Sequence, residues 1–195
     1  PPTPFDWSKE SIFKGPDHVR PKAFFDMKMG DETLGRLVFE LADDILPQTC
    51  ANFIALCENR NSENDSGKNK DKRKYSYQGT KIHQVYKDVF IMGGDVVKND
   101  GTQSHSAGEH RYFPDENFII PHSARGLLSM ASIGVDTNGS QFYISLKPTC
   151  YMDGRCMVFG RLVEGENVIK TIESTFTFRG KPTTDIVIAD SGLLK

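Results

Sequence analysis

The sequence predicts a mainly β fold, an eight-stranded antiparallel closed barrel capped by two α-helices. Three observations point there. Short runs rich in β-branched and aromatic residues recur at 24–29, 35–41, 82–86, 89–97, 127–131, 141–144, 157–163 and 185–189. Glycines that suit turns or close approaches punctuate them, among them Gly35, Gly93, Gly94, Gly126, Gly139 and Gly160. Only 47–57 and 166–172 carry helical spacing. Eight such strands with two helices over the ends suit a closed barrel with a packed interior.

Taken in order, 1–22 is an extension with prolines at 1, 2, 4, 16 and 21 and no steady period. Its Phe5, Trp7, Ile12 and Phe13 are anchor residues of the kind enriched at interfaces. They predict a segment that docks on a partner or clamps its own domain. The main domain, 23–195, opens with two strands joined by a turn at Gly30 and Asp31. The second alternates imperfectly over 34–39, so both of its faces are expected to be partly covered. Pro47 suits the first turn of a helix, where its missing N–H costs little. Ala51, Ile54, Ala55 and Leu56 form that helix's predicted apolar stripe, with Phe53 beside them.

The stretch 59–74, NRNSENDSGKNKDKRK, is polar throughout. It cannot bury enough apolar area to offset the entropy of ordering, and it reads as a solvated loop insertion. Lys68, Lys70, Lys72, Arg73 and Lys74 offer contact with an acidic surface, diluted by Glu63, Asp65 and Asp71. A second long loop spans 99–114. In the second helix Val168, Ile169 and Ile172 share one face.

Composition narrows the function classes. At 195 residues the chain reads as one main domain. A net charge of −2 and a pI near 6.2 give no electrostatic footprint for nucleic acid. No run of eighteen apolar residues exists to span a membrane. Cys50, Cys57, Cys150 and Cys156 form no CxxC pair and no metal-ligand spacing. No metal or cofactor is expected, and His105 and His110 lack a third ligand. The glycines of MGGD and TNGS do not open a helix, which argues against a phosphate cradle. Cys156 has no base placed beside it by a motif and reads as a buried thiol. An intracellular reducing compartment is expected, the cytoplasm or, if the terminus is processed, the mitochondrion. The first residue is Pro1 rather than Met, which reads as a processed precursor or a fragment.

The wording is more specific than the pattern. GLLSMA at 126–131 and TNGSQFYI at 137–144 stand in one chain with FFDMKMGDETLGRLVFEL, PQTCANFIALC, MGGDVV, DENF, MVFGRLVEG and IADSGLL. In this order and spacing the set resembles the cyclophilins, the cyclosporin-binding family of peptidyl-prolyl isomerases, over about residues 23 to 195. The resemblance implies the barrel fold and a groove that grips proline-containing peptides.

It also implies where catalysis would sit. Turning an amide means crossing about 18–20 kcal/mol, because resonance makes its C–N bond partly double. In the family an arginine aims a charged donor at the proline nitrogen, from a strand reading Phe-His-Arg. Here that stretch is Ile82-His83-Gln84, so the arginine's place falls to Gln84. The glutamine that orients the arginine is Met92, which offers no proper acceptor. The family's Phe-Met pair reads Val89-Phe90, and the positions after SMA read Ser132 and Ile133. Further groove positions fall on Tyr143, Tyr151, Met152 and Cys156, while Ala131 and Gln141 match. The implied function is a cyclophilin-fold protein with weak or no isomerase activity, acting as a protein-binding, structural or assembly module. The alternative is an active isomerase assisting protein folding. Expected partners are a protein or a proline-containing peptide, with membership of a larger assembly as one form, and weak binding of cyclosporin.

Overall fold

The computed structural model describes residues 3–9, 14, 15, 17–58 and 75–194. Ile12, Phe13 and the charged insertion 59–74 lie outside the described residues. Strands β1 (Lys22–Met29) and β2 (Glu32–Leu41) form a hairpin about Gly30 and Asp31, followed by helix α1 (Pro47–Cys57). Next come β3 (Lys81–Tyr86), β4 (Phe90–Gly93), β5 (Leu127–Met130), β6 (Phe142–Ser145) and β7 (Val158–Glu164). Helix α2 (Glu166–Glu173), a short hairpin of β8 (Thr177–Phe178) and β9 (Lys181–Pro182), and β10 (Ile186–Leu194) complete the chain. Eight strands close into one antiparallel barrel in the order β1-β10-β3-β4-β6-β5-β7-β2, with β2 returning to β1. Closure leaves no unpaired sheet edge in the barrel.

The core is built on aromatic contacts. Phe25 meets Phe39, Phe53, Tyr77 and Phe142 at centroid distances of 5.5, 5.7, 5.5 and 5.5 Å. Phe53 carries this cluster into α1, which caps one end of the barrel. Leu37, Val38 and Phe39 are buried in succession, as expected for a strand covered on both faces. Val168, Ile169 and Ile172 form the buried face of α2.

Four details differ from the expectation. The buried stripe of α1 is Thr49, Cys50, Phe53, Leu56 and Cys57, whereas Ala51 is exposed and Ile54 and Ala55 only half-buried. The helix is rotated so that its large ring enters the core and its alanines face outward. The strand expected over 89–97 stops at Gly93, because Gly94 turns with φ +88° and Asp95 then gathers the backbone. The closing strand runs on to Leu194, where Gly192 leaves room for the ring of Phe24 opposite. Finally, the β8–β9 hairpin turns on Arg179 and Gly180, both at positive φ (51° and 80°), in the manner of a two-residue hairpin turn.

The described part of the N-terminal extension lies on its own barrel. Phe5 and Trp7 meet edge to face at 5.2 Å and pack against the core's margin. The Arg20 and Arg161 guanidinium groups lie 5.5 and 5.2 Å from the Trp7 ring. Arg20 also donates to the Trp7 carbonyl at 3.1 Å and to both Asp44 carboxylate oxygens at 2.8 and 2.9 Å. Lys14 and His18 bond Asp43 at 2.6 and 2.8 Å.

Candidate functional site

The barrel register sorts side chains into inner and outer rows. Val85, Ile91, Ile144 and Leu128 lie opposite one another on β3, β4, β6 and β5, and all four belong to the core. One residue along each strand is the row Gln84, Met92, Tyr143 and Ser129. Since side chains alternate across a strand, this row faces outward. The next outer row holds Tyr86, Phe90 and Ser145. The ladder slips at His83, leaving that residue unpaired beside Gln84. Gln84 and Met92 are therefore cross-strand neighbours, as their family counterparts would need to be. The row carries no charged side chain.

Tyr143 forms the floor. Its ring lies 5.9 Å from Phe90, which in turn lies 5.3 Å from Tyr86. Its hydroxyl meets His122 Nε2 at 2.6 Å, and Ser129 Oγ lies 3.1 Å from the same nitrogen. On the other side of the ring His122 Nδ1 is 2.8 Å from Asp153 Oδ1, which also accepts the His122 backbone N–H at 2.7 Å. The carboxylate requires Nδ1 to carry the proton, so Nε2 is the acceptor and the tyrosine hydroxyl donates to it. Tyr143 is thereby pinned into the wall with its proton directed away from solvent. Burial pushes its phenol well above the ordinary range.

The rim comes from two loops. Tyr151 and Met152 stand on a 3₁₀ turn, Cys150–Met152, with Tyr151 exposed and Met152 half-buried. Asp153 follows directly, so the polar relay ties the floor to this rim. Cys156, its amide held by the Met152 carbonyl at 3.1 Å, is buried with its thiol beside Tyr143 and Ser132. Burial raises its pKa, which holds it as a thiol rather than a nucleophile. Opposite, Ala131 and Ser132 are half-buried, while Ile133 is 85% exposed. Val89 sits in the tight turn between β3 and β4.

The remaining wall is the loop after β4. Asp95 accepts backbone N–H groups of Val97, Lys98, Asp100, Gly101 and Gln103 at 2.8 to 3.3 Å. Burial opposes ionisation, but these donors outweigh it and lower its pKa to about 2. Gln141 Nε2 donates to the Gly101 and Gln103 carbonyls at 3.0 and 2.8 Å, so its amide protons are already used. His83 packs under Gly101, where a Cβ would collide with its ring. His105 stacks on Tyr75 at 4.4 Å, and among the described residues no cluster of His, Cys, Asp or Glu is placed to hold a metal ion.

Sequence reasoning missed the Tyr143–His122–Asp153 relay. His122 stands alone after Pro121, and nothing local marks its partners, which are 21 and 31 residues away.

The relay has a pH signature. Burial lowers the pKa values of His122 and His83, against the opposing pull of Asp153 and Asp95. Both are neutral when folded, so the unfolded chain binds the extra protons below about pH 6.5. Stability from these groups is complete above that value and is lost as pH falls through it toward the folded values. The thermal midpoint should therefore drop between about pH 7.5 and 5. A His122→Gln variant should show a shallower drop. A wild-type midpoint flat over this range would contradict the assignment of neutral rings.

With this geometry in place, the chain can be compared with known families, and it matches a family model. The model described as "Cyclophilin type peptidyl-prolyl cis-trans isomerase/CLD" covers residues 24–193.

Proposed function

The chain belongs to the cyclophilin-type peptidyl-prolyl cis-trans isomerase family, and from that premise we propose that its groove holds proline-containing segments of partner proteins while turning them over weakly or not at all. One observation carries this reading. The outward row Gln84–Met92–Tyr143–Ser129 holds no charged donor, and only its Gln84 and Met92 are half-buried rather than buried. An isomerase must favour the twisted amide, in which the proline nitrogen regains its lone pair and becomes an acceptor. Tyr143 gives its proton to His122, and Gln141 gives its amide protons to Gly101 and Gln103. Gln84 is left as a neutral donor facing Met92. Phe90 and Met92, both half-buried, can still pack a pyrrolidine over the buried Tyr143, so binding survives where catalysis is weakened. Such a protein serves as a scaffold or assembly subunit.

A second reading, an isomerase assisting protein folding, draws on Arg155. This exposed residue of the rim turn has no ion pair among the described residues. An active chain that loses turnover on Arg155→Ala would favour it. The deciding experiment is a proline-peptide turnover assay beside a binding titration of the same peptide. Binding without turnover supports the module, and turnover well above background removes it.

Cyclosporin should bind weakly. In the family a tryptophan N–H of the groove donates to the drug. Tyr151, 61% exposed, has a differently placed hydroxyl, and Ile133 adds a branched chain to the opposite rim. Losing a buried hydrogen bond and its fit costs about 1–3 kcal/mol each. Calorimetry should find micromolar or weaker affinity; a nanomolar constant would contradict the proposed rim.

A further inference from the structure

The most exposed phenylalanines among the described residues are away from the groove. Phe176 and Phe178 are 75% and 67% exposed. Phe176 immediately precedes β8 and continues its pairing through the Thr183 amide at 3.1 Å, and half-buried Thr177 separates it from Phe178, which places the two rings on one side of the hairpin. Two large rings left in water on one face are unusual for a surface that meets only solvent. Beside them is a cleft of about 340 Å³, lined by Val85, Lys87, Thr175, Phe176 and Thr177.

The hairpin that carries them is anchored. Val85 N donates to the Gly180 carbonyl at 2.7 Å, and Thr183 N to the Phe176 carbonyl at 3.1 Å. Gly180 lies against the Tyr86 ring with no room for a side chain. Arg179 holds φ +51°, a conformation that costs a non-glycine residue about 1 kcal/mol, with its guanidinium 5.5 Å from the Phe178 ring. These contacts hold the exposed rings on an ordered support.

The charges around the cleft are one-sided. Lys87, Arg179 and Lys181 are exposed and form no ion pair among the described residues. Glu173, at the cleft wall, is taken by Arg125 at 2.8 Å and by the Asp88 amide at 3.1 Å. Among the described residues, Asp88 and Asp185 are exposed acids close to them in the chain, and Asp185 is taken by Lys81 at 2.6 Å, which leaves Asp88 against three cations.

We propose that this hairpin and its cleft bind an acidic segment of a partner protein that carries an apolar anchor side chain. The anchor fills the cleft against Phe176, Thr175 and Thr177. The acidic neighbours meet Lys87, Arg179 and Lys181. The surface joins the groove through the Tyr86–Phe90–Tyr143 contacts, but its binding is independent of whether the groove turns prolyl bonds.

The test is an array of acidic dodecamers bearing Leu, Phe or Trp at the centre. Matched sets replace the apolar residue by Ser or the acids by Lys, and an oligouridylate is run alongside. Affinities of the strongest binders are read by fluorescence anisotropy. Peptides with both acids and an anchor should bind, more weakly in added salt. Phe176→Ser/Phe178→Ser and Lys87→Glu/Lys181→Glu should each weaken binding about tenfold or more. Amide-shift mapping on the wild-type chain should mark 174–181 and 85–87, which keeps the test sound should a double variant unfold. No binder in the array, shifts confined to 131–133 and 151–156, or tighter binding of the oligouridylate would each overturn the proposal.

Discussion

The purified chain should leave a standard Ala-Pro peptide isomerising near its uncatalysed rate, on the scale of tens to hundreds of seconds. Removing one preorganised transition-state donor typically costs ~10²–10³ in rate. An amide in place of a guanidinium also gives up charge assistance, which roughly doubles a hydrogen bond's strength. The register places Gln84 directly across from Met92, so donor and orienting neighbour are altered together. Gln84→Arg alone should recover little, because the thioether cannot hold the guanidinium in position. Gln84→Arg with Met92→Gln should recover more than the sum of the two single changes, since the residues act as one device. Robust turnover by the unaltered chain would refute the proposed binding role. Additive rescue would leave that role standing and remove only the coupling between the pair.

The same comparison shows what a linear sequence can carry. The strands were legible because their β-branched and aromatic runs are bounded by turn glycines, and the helices because Pro47 and the Val168–Ile169–Ile172 spacing are local signals. Strand ends were less so. Nothing in the run 89–97 says that Asp95 collects five backbone donors and so ends β4 early. The β8–β9 hairpin has two residues per strand, too few for any period. At the site, Gln84 and Met92 stood out because their residue types break a motif. The orientation of the Tyr143 hydroxyl was illegible, since it depends on His122 and Asp153 meeting only in the fold. Chemistry carried by residue type was visible, and chemistry carried by a hydrogen bond's direction was not.

Asp44→Ala should be among the most destabilising single changes in the chain. The side chains of Arg20 and Asp44 are 8% and 1% exposed, and two bonds of 2.8 and 2.9 Å join them. Removing one partner of a buried pair leaves the other charge uncompensated, at about 3–5 kcal/mol. For a chain of this size that lowers the thermal midpoint by about 6–20 °C. Replacing both members, Arg20→Met with Asp44→Leu, should recover much of the loss, because a well-packed apolar pair avoids the desolvation cost. Trp7 separates the two roles of Arg20. It is the only tryptophan, and Arg20 both covers its ring at 5.5 Å and bonds its carbonyl. In the double replacement the barrel should melt nearly as the unaltered chain does, while Trp7 emission shifts to the red as the extension loosens. Arg161, 5.2 Å from the same ring, should hold part of the contact, so the shift should fall short of that of free tryptophan. An Asp44→Ala midpoint within about 2 °C of the unaltered chain would mean that the pair contributes less than about 1 kcal/mol. Unchanged Trp7 emission in the double replacement would mean that Arg161 and the Phe5 contact suffice to hold the extension.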